Sequence, residues 1–416
     1  MLDDDAPART RRQLLRTPVG GLAGGKVLST LAVWTTNIAG AILVFDLTGS
    51  ALIVGLVSVA QFTPQLLLTP LTGARADRAD RFAQVITGTA ITALGSVLLT
   101  TWALTLGFTR ERDAWVMVAA AGLVGLGFSV AGPATSALLP ALVRHDELAD
   151  ALALSSLPII VARSAGPAAG ATLYLAAGPA TTFGLSALLH LAFILLLVVL
   201  RRRVRVAARP AQRDRRVRAA LEHLRRSPRT VLQIVGVGVI GVGTDPITTL
   251  TPALAATLAA PAGFVGTLAS SFGLGAAGGF VVLSRVRARV GIMRLGAVGL
   301  ALMGSGTLLS GIAPVPALAV AGVGLGGVGL TFALNAFTTL VQADVPDALR
   351  GRVMALWSMA FLGSRPVTAL VSGWVTDTFG VRVALVGSGL LILAGARATR
   401  GARMLALPAH RDVEEP

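Results

Sequence analysis

The sequence predicts an all-α integral membrane protein with twelve transmembrane helices arranged as two six-helix, pseudo-symmetric bundles. Three observations predict it. Twelve apolar runs divide the chain, each near or above the ~20 residues needed to cross ~30 Å of hydrocarbon. The 36 Lys and Arg fall almost wholly on one side of the implied membrane. Only one long polar segment interrupts the runs, and it leaves six on either side. At 54% apolar and 13% charged over 416 residues, the chain has more hydrophobic surface than a soluble domain buries.

In chain order, residues 1–26 form a basic tail. The first bundle spans 27–200, with runs near 27–48, 51–72, 83–108, 114–137, 151–177 and 180–200. A basic linker, 201–230, follows; its stretch RVRAALEHLRRSPRT places Val217, Leu221 and Leu224 at helical spacing before Pro228, the pattern of an amphipathic helix on the lipid surface. The second bundle, 231–396, has runs near 231–256, 263–284, 292–312, 315–341, 353–376 and 379–396, and 397–416 is a second basic tail. Of the basic residues, 31 lie on the face of the tails, three (Arg110, Arg112, Arg382) on the other, and two (Arg163, Arg365) inside runs. The positive-inside rule makes the face of both termini cytoplasmic and places the protein in a cell membrane.

Sliding one half along the other supports a repeat. An offset of 202 superposes Ala153, Leu154, Ser156 and Arg163 on Ala355, Leu356, Ser358 and Arg365; an offset of 200 superposes Gly122 and Gly127 on Gly322 and Gly327. Parallel six-span repeats are one architecture of secondary transporters.

Several function classes fall away. The net charge of +16 is dispersed over short loops, which fits orientation and anionic lipid rather than nucleic acid. With no Cys there are no disulfides or thiolate sites, and four scattered His form no metal cluster, so no metal or cofactor is expected. GGLAGGKV (20–27) lacks the Ser or Thr of a P-loop, and GVGLGGVG (322–329) sits inside an apolar run with no preceding strand, where small residues serve helix packing. TRRQLLR (10–16) is juxtamembrane charge rather than a leader. Thirty-five of the 36 basic residues are Arg, as GC-rich bacterial genomes encode. No GxSxG, HExxH or DxDxG constellation is present, so the chain is not expected to be an enzyme.

Ionisable groups within the runs are the candidate functional residues, because each costs roughly 2.5–3.5 kcal/mol at mid-bilayer without a partner. Arg163 and Arg365 stand ~18 Å into their spans, His190 ~15 Å deep and Asp245 ~21 Å deep, beside Pro246. Asp245 is a proton-carrier candidate, since an acid in low dielectric resists ionisation until a cation or water approaches; a structural ion pair with Arg163, Arg365 or a backbone donor is the other reading. An arginine keeps its proton and so serves as a gate, a structural partner or an anion clamp. His190 is expected to pack neutral. Glycine and proline pairs in mid span, notably Gly166, Pro167 and Gly170, and Pro246, are candidate helix-bending points.

GARADRADR (73–81), directly after the second run, resembles the loop motif of the major facilitator superfamily through Gly73, Asp77, Arg78 and Arg81. Three further stretches resemble that superfamily's branch of siderophore (enterobactin) exporters and macrolide or drug efflux proteins: DLTGSALIVGLVSVAQFTPQLLLTPLTG (46–73), PATSALLPALV (133–143) with ARSAGPAAG (162–170), and LVQADVPDALRGRVMALWSMAFLG (340–363). The second copy of the loop motif, SRVRARVG (284–291), lacks the aspartate. The resemblance implies a secondary transporter working by alternating access, exporting a small amphipathic compound such as a drug, antibiotic or siderophore in exchange for protons, as a monomer among membrane lipids. A facilitator or importer on the same fold, or a non-transport membrane scaffold or enzyme, is the alternative. It implies that Asp77 meets the start of span eleven, where Asp347, Arg350 and Arg352 stand, through Arg352 or the helix dipole, closing the cytoplasmic side in one state. It also implies a partial match of Gly166, Pro167 and Gly170 to an antiport motif. Spans one, four, seven and ten then line the cavity, with Trp34, Asn37, Ser129, Thr244, Thr248, Thr331, Asn335 and Thr338 as polar candidates beside Asp245. So few polar groups suit an amphipathic organic solute better than a sugar.

Overall fold

The computed structural model describes residues 11–76, 80–144, 146–204 and 217–400, and they form an all-helical membrane protein. After a short α1 (Arg11–Leu14) come α2 (Pro18–Thr48), α3 (Ala51–Ala76), α4 (Arg81–Thr105), α5 (Ala114–Ala141) and α6 (Leu148–Arg203). The linker helix α7 (Val217–Arg226) leads to α8 (Pro228–Thr244), α9 (Pro246–Thr249) and α10 (Thr251–Thr257). Then follow α11 (Phe264–Val290), α12 (Ile292–Ile312), α13 (Pro316–Asp344), α14 (Asp347–Phe379) and α15 (Val381–Arg400).

Among the described residues, eleven helical stretches are long and apolar enough to span a membrane, one fewer than the runs in the sequence. The difference lies in α6, whose 56 residues run on until Gly178 turns the chain with φ 76° and ψ 176°, a conformation essentially reserved for glycine. The pieces on either side are each long enough to cross, so α6 supplies spans five and six. Span seven is the opposite case. Asp245 and Leu250 separate α8, α9 and α10, with Pro246 and Pro252 each following a break, so Pro246 interrupts the helix as proline does where its N–H is missing. At the start of the chain, Thr17 caps α2 by accepting from the Val19 N–H (3.3 Å). The helix therefore begins at Pro18, nine residues before the first apolar run, and takes Lys26 inside it. The linker helix packs on α8 and α14.

Close helix approach explains most of the glycine and gives the internal repeat its register. A Cβ on Gly125 would strike the Gln61 carbonyl, and one on Gly327 the Phe272 carbonyl. Gly88 lies on Gly127 and Ala131 as Gly299 lies on Gly329 and Ala333. These pairs relate α5 to α13 by 202 residues, and α3 and α4 to α11 and α12 by 211. The offset of 200 read from Gly122 and Gly127 is thus corrected: repeated GxG spacing lets the sequences slide by two, and contact geometry selects 202, the same shift that relates Arg163 to Arg365.

One consequence is testable on a single helix. Gly275 of α11 lies on the Gly324 carbonyl of α13, whereas a Cβ on Gly278 has nothing within 4 Å. We expect Gly275→Val to destabilise the protein by about 3 kcal/mol or more through overpacking, with loss of the monodisperse peak in size-exclusion chromatography. Gly278→Val should behave as wild type.

The first half packs around two buried clusters, one holding Leu138, Phe193 and Leu197, the other Leu99, Met117 and Phe183. The second half packs around Val237, Ile240, Phe272, Met303 and Phe337. Between the halves, α3 packs on α14 and α6 on α11. Here too the pairs are related by symmetry: Gly55 meets the Ala369 carbonyl (2.5 Å) and Gly266 the Pro167 carbonyl (2.9 Å).

Candidate functional site

A cavity of about 330 Å³ lies between the halves. α2 contributes Lys26, Thr30, Trp34 and Asn37, α3 contributes Ser58, Gln61, Phe62 and Gln65, and Phe128, Thr248, Leu362 and Arg365 complete most of the wall. We call the side carrying the start of α2 and the end of α15 the basic face. The wall runs outward to Lys26 and Gln65 on that side. Towards the opposite face the halves are sealed by an apolar cluster of Ile38, Ile42, Ala171, Ala255, Val265 and Ala269, and the Ala168 N–H donates to Ser270 Oγ across the joint (2.9 Å). The cavity is therefore closed to the opposite face and continues towards the basic one.

Behind the Arg365 and Ser58 side chains that line the cavity lies a buried acid. Asp245 is fully buried, and Arg365 Nε stands 3.8 Å from its Oδ1 with 13% of the Arg365 side chain exposed. Thr249 Oγ1 donates to Asp245 Oδ2 (2.8 Å), and Ser58 of the first half stands beside the carboxylate. The Arg365 guanidinium lies 3.7 Å from the centre of the Phe62 ring, a cation–π contact worth about 2 kcal/mol when desolvated. The pair thus belongs to the second half and is covered by α3 of the first, so its charge state acts at the joint between halves. The break in span seven places it there: with α8 ending at Thr244, the Asp245 side chain is held by Thr249 one turn further on.

Of the polar residues proposed for the cavity, Trp34, Asn37 and Thr248 lie in its wall. Ser129, Thr244, Thr331, Asn335 and Thr338 do not. Ser129 donates to Leu126 O (2.7 Å) and Thr244 to Ile240 O (2.8 Å), each within its own helix, while Thr331 ties α13 to α11 through Ala276 O (2.8 Å). α3, which the sequence does not mark as cavity-forming, joins the wall. Ser58, Gln61 and Gln65 form a polar stripe at spacings of three and four on an otherwise apolar helix, a pattern present in the sequence.

Other expected residues divide as follows. His190 is buried, with Nδ1 donating to Ser186 O (2.8 Å). Gly166 and Gly170 are packing points: the backbone keeps helical dihedrals through Pro167, and Cβ atoms at the two glycines would meet Trp34 (2.9 Å) and Thr35 (2.8 Å) of α2. Gly73, by contrast, is not in tight packing, since a Cβ there would meet only Pro133 at 3.8 Å. Arg81 is buried beside Ala137 O, and Asp80, at the head of α4, accepts from Arg201 Nε (2.8 Å). Arg350 Nε donates to Gln342 O (3.1 Å). Asp77 and Arg78 lie outside the described residues, as do the side chains of Arg163 and Asp347, and with them the expected meeting of Asp77 and Arg352.

A second polar joint sits at the opposite face, unforeseen in the sequence. Asp377, at the end of α14, accepts from Ser50 Oγ (2.5 Å), Ala51 N (2.7 Å) and Leu52 N (3.1 Å), and so caps the start of α3 from the other half. The cap satisfies N–H groups that the first turn of a helix leaves orphaned, and sets a negative charge on the positive end of its dipole.

Residues 22–414 match the family model described as transmembrane secretion effector. No curated protein matches the chain. Among solved structures, a variant of the nucleoside transporter NupG is similar at a TM-score of 0.74 and 13% identity, covering 92% of this chain and 100% of that one. A bacterial homologue of the iron transporter ferroportin, inward-facing, has a TM-score of 0.69 at 16% identity, with 93% and 100% coverage. A bacterial homologue of the human lysosomal transporter Spinster, also inward-facing, has a TM-score of 0.71 at 12% identity, with 94% and 97% coverage.

Proposed function

Since the chain belongs to the transmembrane secretion effector family and is a membrane transporter of the major facilitator type, we propose that it exports a small amphipathic compound from the cell in exchange for protons. The observation that carries this is the Asp245–Arg365 pair, whose arginine lines the cavity and whose acid is buried behind it beside Ser58, with Phe62 over the guanidinium. The basic face is the cytoplasmic one by the positive-inside rule, so the cavity in this state faces the compartment from which an exporter loads.

A substrate entering from the cytoplasm contacts Trp34, Asn37, Gln61 and Arg365. A proton taken up by Asp245 removes the hold of the guanidinium on it. With Arg365 freed, its stacking on Phe62 and the contact of Ser58 with the acid change together, and α3 is released from the second half. Protonation thus alters the energy of the joint rather than of one bond, as coupled alternating access requires. A pump of the siderophore or drug-efflux branch acting as a monomer fits this reading.

The test uses inverted vesicles energised by respiration, with vesicles lacking the protein as control. Compounds from a panel of antibiotics, dyes and siderophores should dissipate the pH gradient only where the protein is present. A folded protein whose substrates move without any proton flux would refute the exchange.

A further inference from the structure

We propose that the transported compound is an amphipathic organic anion and that Lys26 holds its anionic group, a specificity that rests on reading the cavity as the substrate site. Lys26 is the only lysine among 36 basic residues. It belongs to no loop: it sits two turns inside α2, in the wall of the main cavity. It also borders a second chamber of about 150 Å³ to which Thr135, Ser136 and Ser155 bring hydroxyls. Among the described residues no carboxylate stands within ion-pair reach of its ammonium.

The charges of the cavity then decide what it accepts. Arg365 is matched by Asp245, and Lys26 is left over. A chamber with one uncompensated positive charge and walls including Val33, Val57, Phe62, Phe128 and Leu362 complements a solute with an apolar body and one negative group. A cationic solute would add like charge to a site of low dielectric, and a neutral one would leave the ammonium to water. Lys26 lies about 16 Å along α2 from Asn37, so the anionic end is placed near the cytoplasmic mouth and the apolar body beside Trp34 and Phe62. A lysine suits this position because its ammonium is a compact charge with three rotatable donors on a flexible stem, and accepts carboxylates in many orientations.

The test needs no pH gradient. The full chain, purified in uncharged detergent, is titrated calorimetrically at fixed pH with matched acids and amides: naphthalene-1-acetate, indole-3-acetate and 4-phenylbutyrate against their carboxamides. At least one acid should bind about tenfold or more tightly than its amide, the scale of one hydrogen bond to a charged group. Lys26→Gln should abolish that preference while leaving amide binding and the thermal midpoint unchanged, and Lys26→Arg should keep most of it. The proposal is overturned if no acid binds, if acids and amides bind alike, or if Lys26→Gln keeps the preference. It is equally overturned if only phosphatidylglycerol stabilises the protein through Lys26, which would make the anion a lipid headgroup. Proton exchange is read separately in energised vesicles, so either idea can fail without the other.

Discussion

Asp245→Asn should reduce pH-driven transport to the rate seen without a gradient, while substrate affinity measured without a gradient stays within about threefold of wild type, well under 1 kcal/mol. Asn keeps an acceptor for the Thr249 hydroxyl that Asp245 now receives at 2.8 Å, and its shape disturbs little. What it cannot do is change charge, so Arg365 loses the partner at 3.8 Å at all times and not once per cycle. Arg365→Ala should act from the other side. It leaves a buried acid without its cation, an arrangement that costs on the order of 3–5 kcal/mol while the acid stays ionised; the acid escapes that cost by keeping a proton, which also stops exchange. The double variant Asp245→Asn/Arg365→Gln separates stability from coupling: the folded yield should recover towards wild type, and the pH-driven component should remain absent. Undiminished pH-driven transport by Asp245→Asn would remove this acid from the coupling role.

The sequence made some of this arrangement legible and hid the rest for definite reasons. Twelve spans could be read because crossing hydrocarbon demands long uninterrupted apolar runs, and the join at Gly178 was visible as a gap in them although the helix around it reads as one. Asp245 and Arg365 stood out singly, since each is an ionisable residue in an apolar span. That they pair was only one of several options, because partners from spans seven and eleven meet through tertiary packing. The packing of Gly166 and Gly170 could not be read at all, because their neighbours Trp34 and Thr35 are more than a hundred residues away. The Ser58, Gln61 and Gln65 stripe is legible as a polar face, but only the packing of α3 against the second half shows that it faces the cavity. Asp377 gave no signal at all: at the end of a span it reads as an ordinary loop charge, and only the fold reveals the helix it caps.

Asp377→Ala should shift the transporter away from the state in which the opposite face is closed, and the internal repeat shows why so small a change matters. The offsets of 202 and 211 that relate the halves map Asp377 onto Leu175, and Leu52 onto Gly263. In that related place Leu175 Cδ1 lies 3.2 Å from a Cβ built on Gly263, an apolar contact. One of the two joints at this face is thus greasy and the other a charged cap, and only the second is directional. Its three hydrogen bonds exist only while α3 and α14 are together, so their loss bears on the equilibrium between states more than on the stability of either half. A cap of this kind, with its helix-dipole contribution, is worth about 2 kcal/mol, which is roughly a thirtyfold change in the ratio of the two states. The cysteine-free chain makes the measurement direct: spin labels on Leu106→Cys and Ile312→Cys, exposed on the opposite face of either half, report its opening as a longer distance in pulsed dipolar spectroscopy. Asp377→Asn keeps a capping acceptor without the charge and should fall between wild type and Asp377→Ala. An unaltered distance distribution in Asp377→Ala would show that the apolar joint at Leu175 and the close approach of Gly55 to Ala369 hold that face alone.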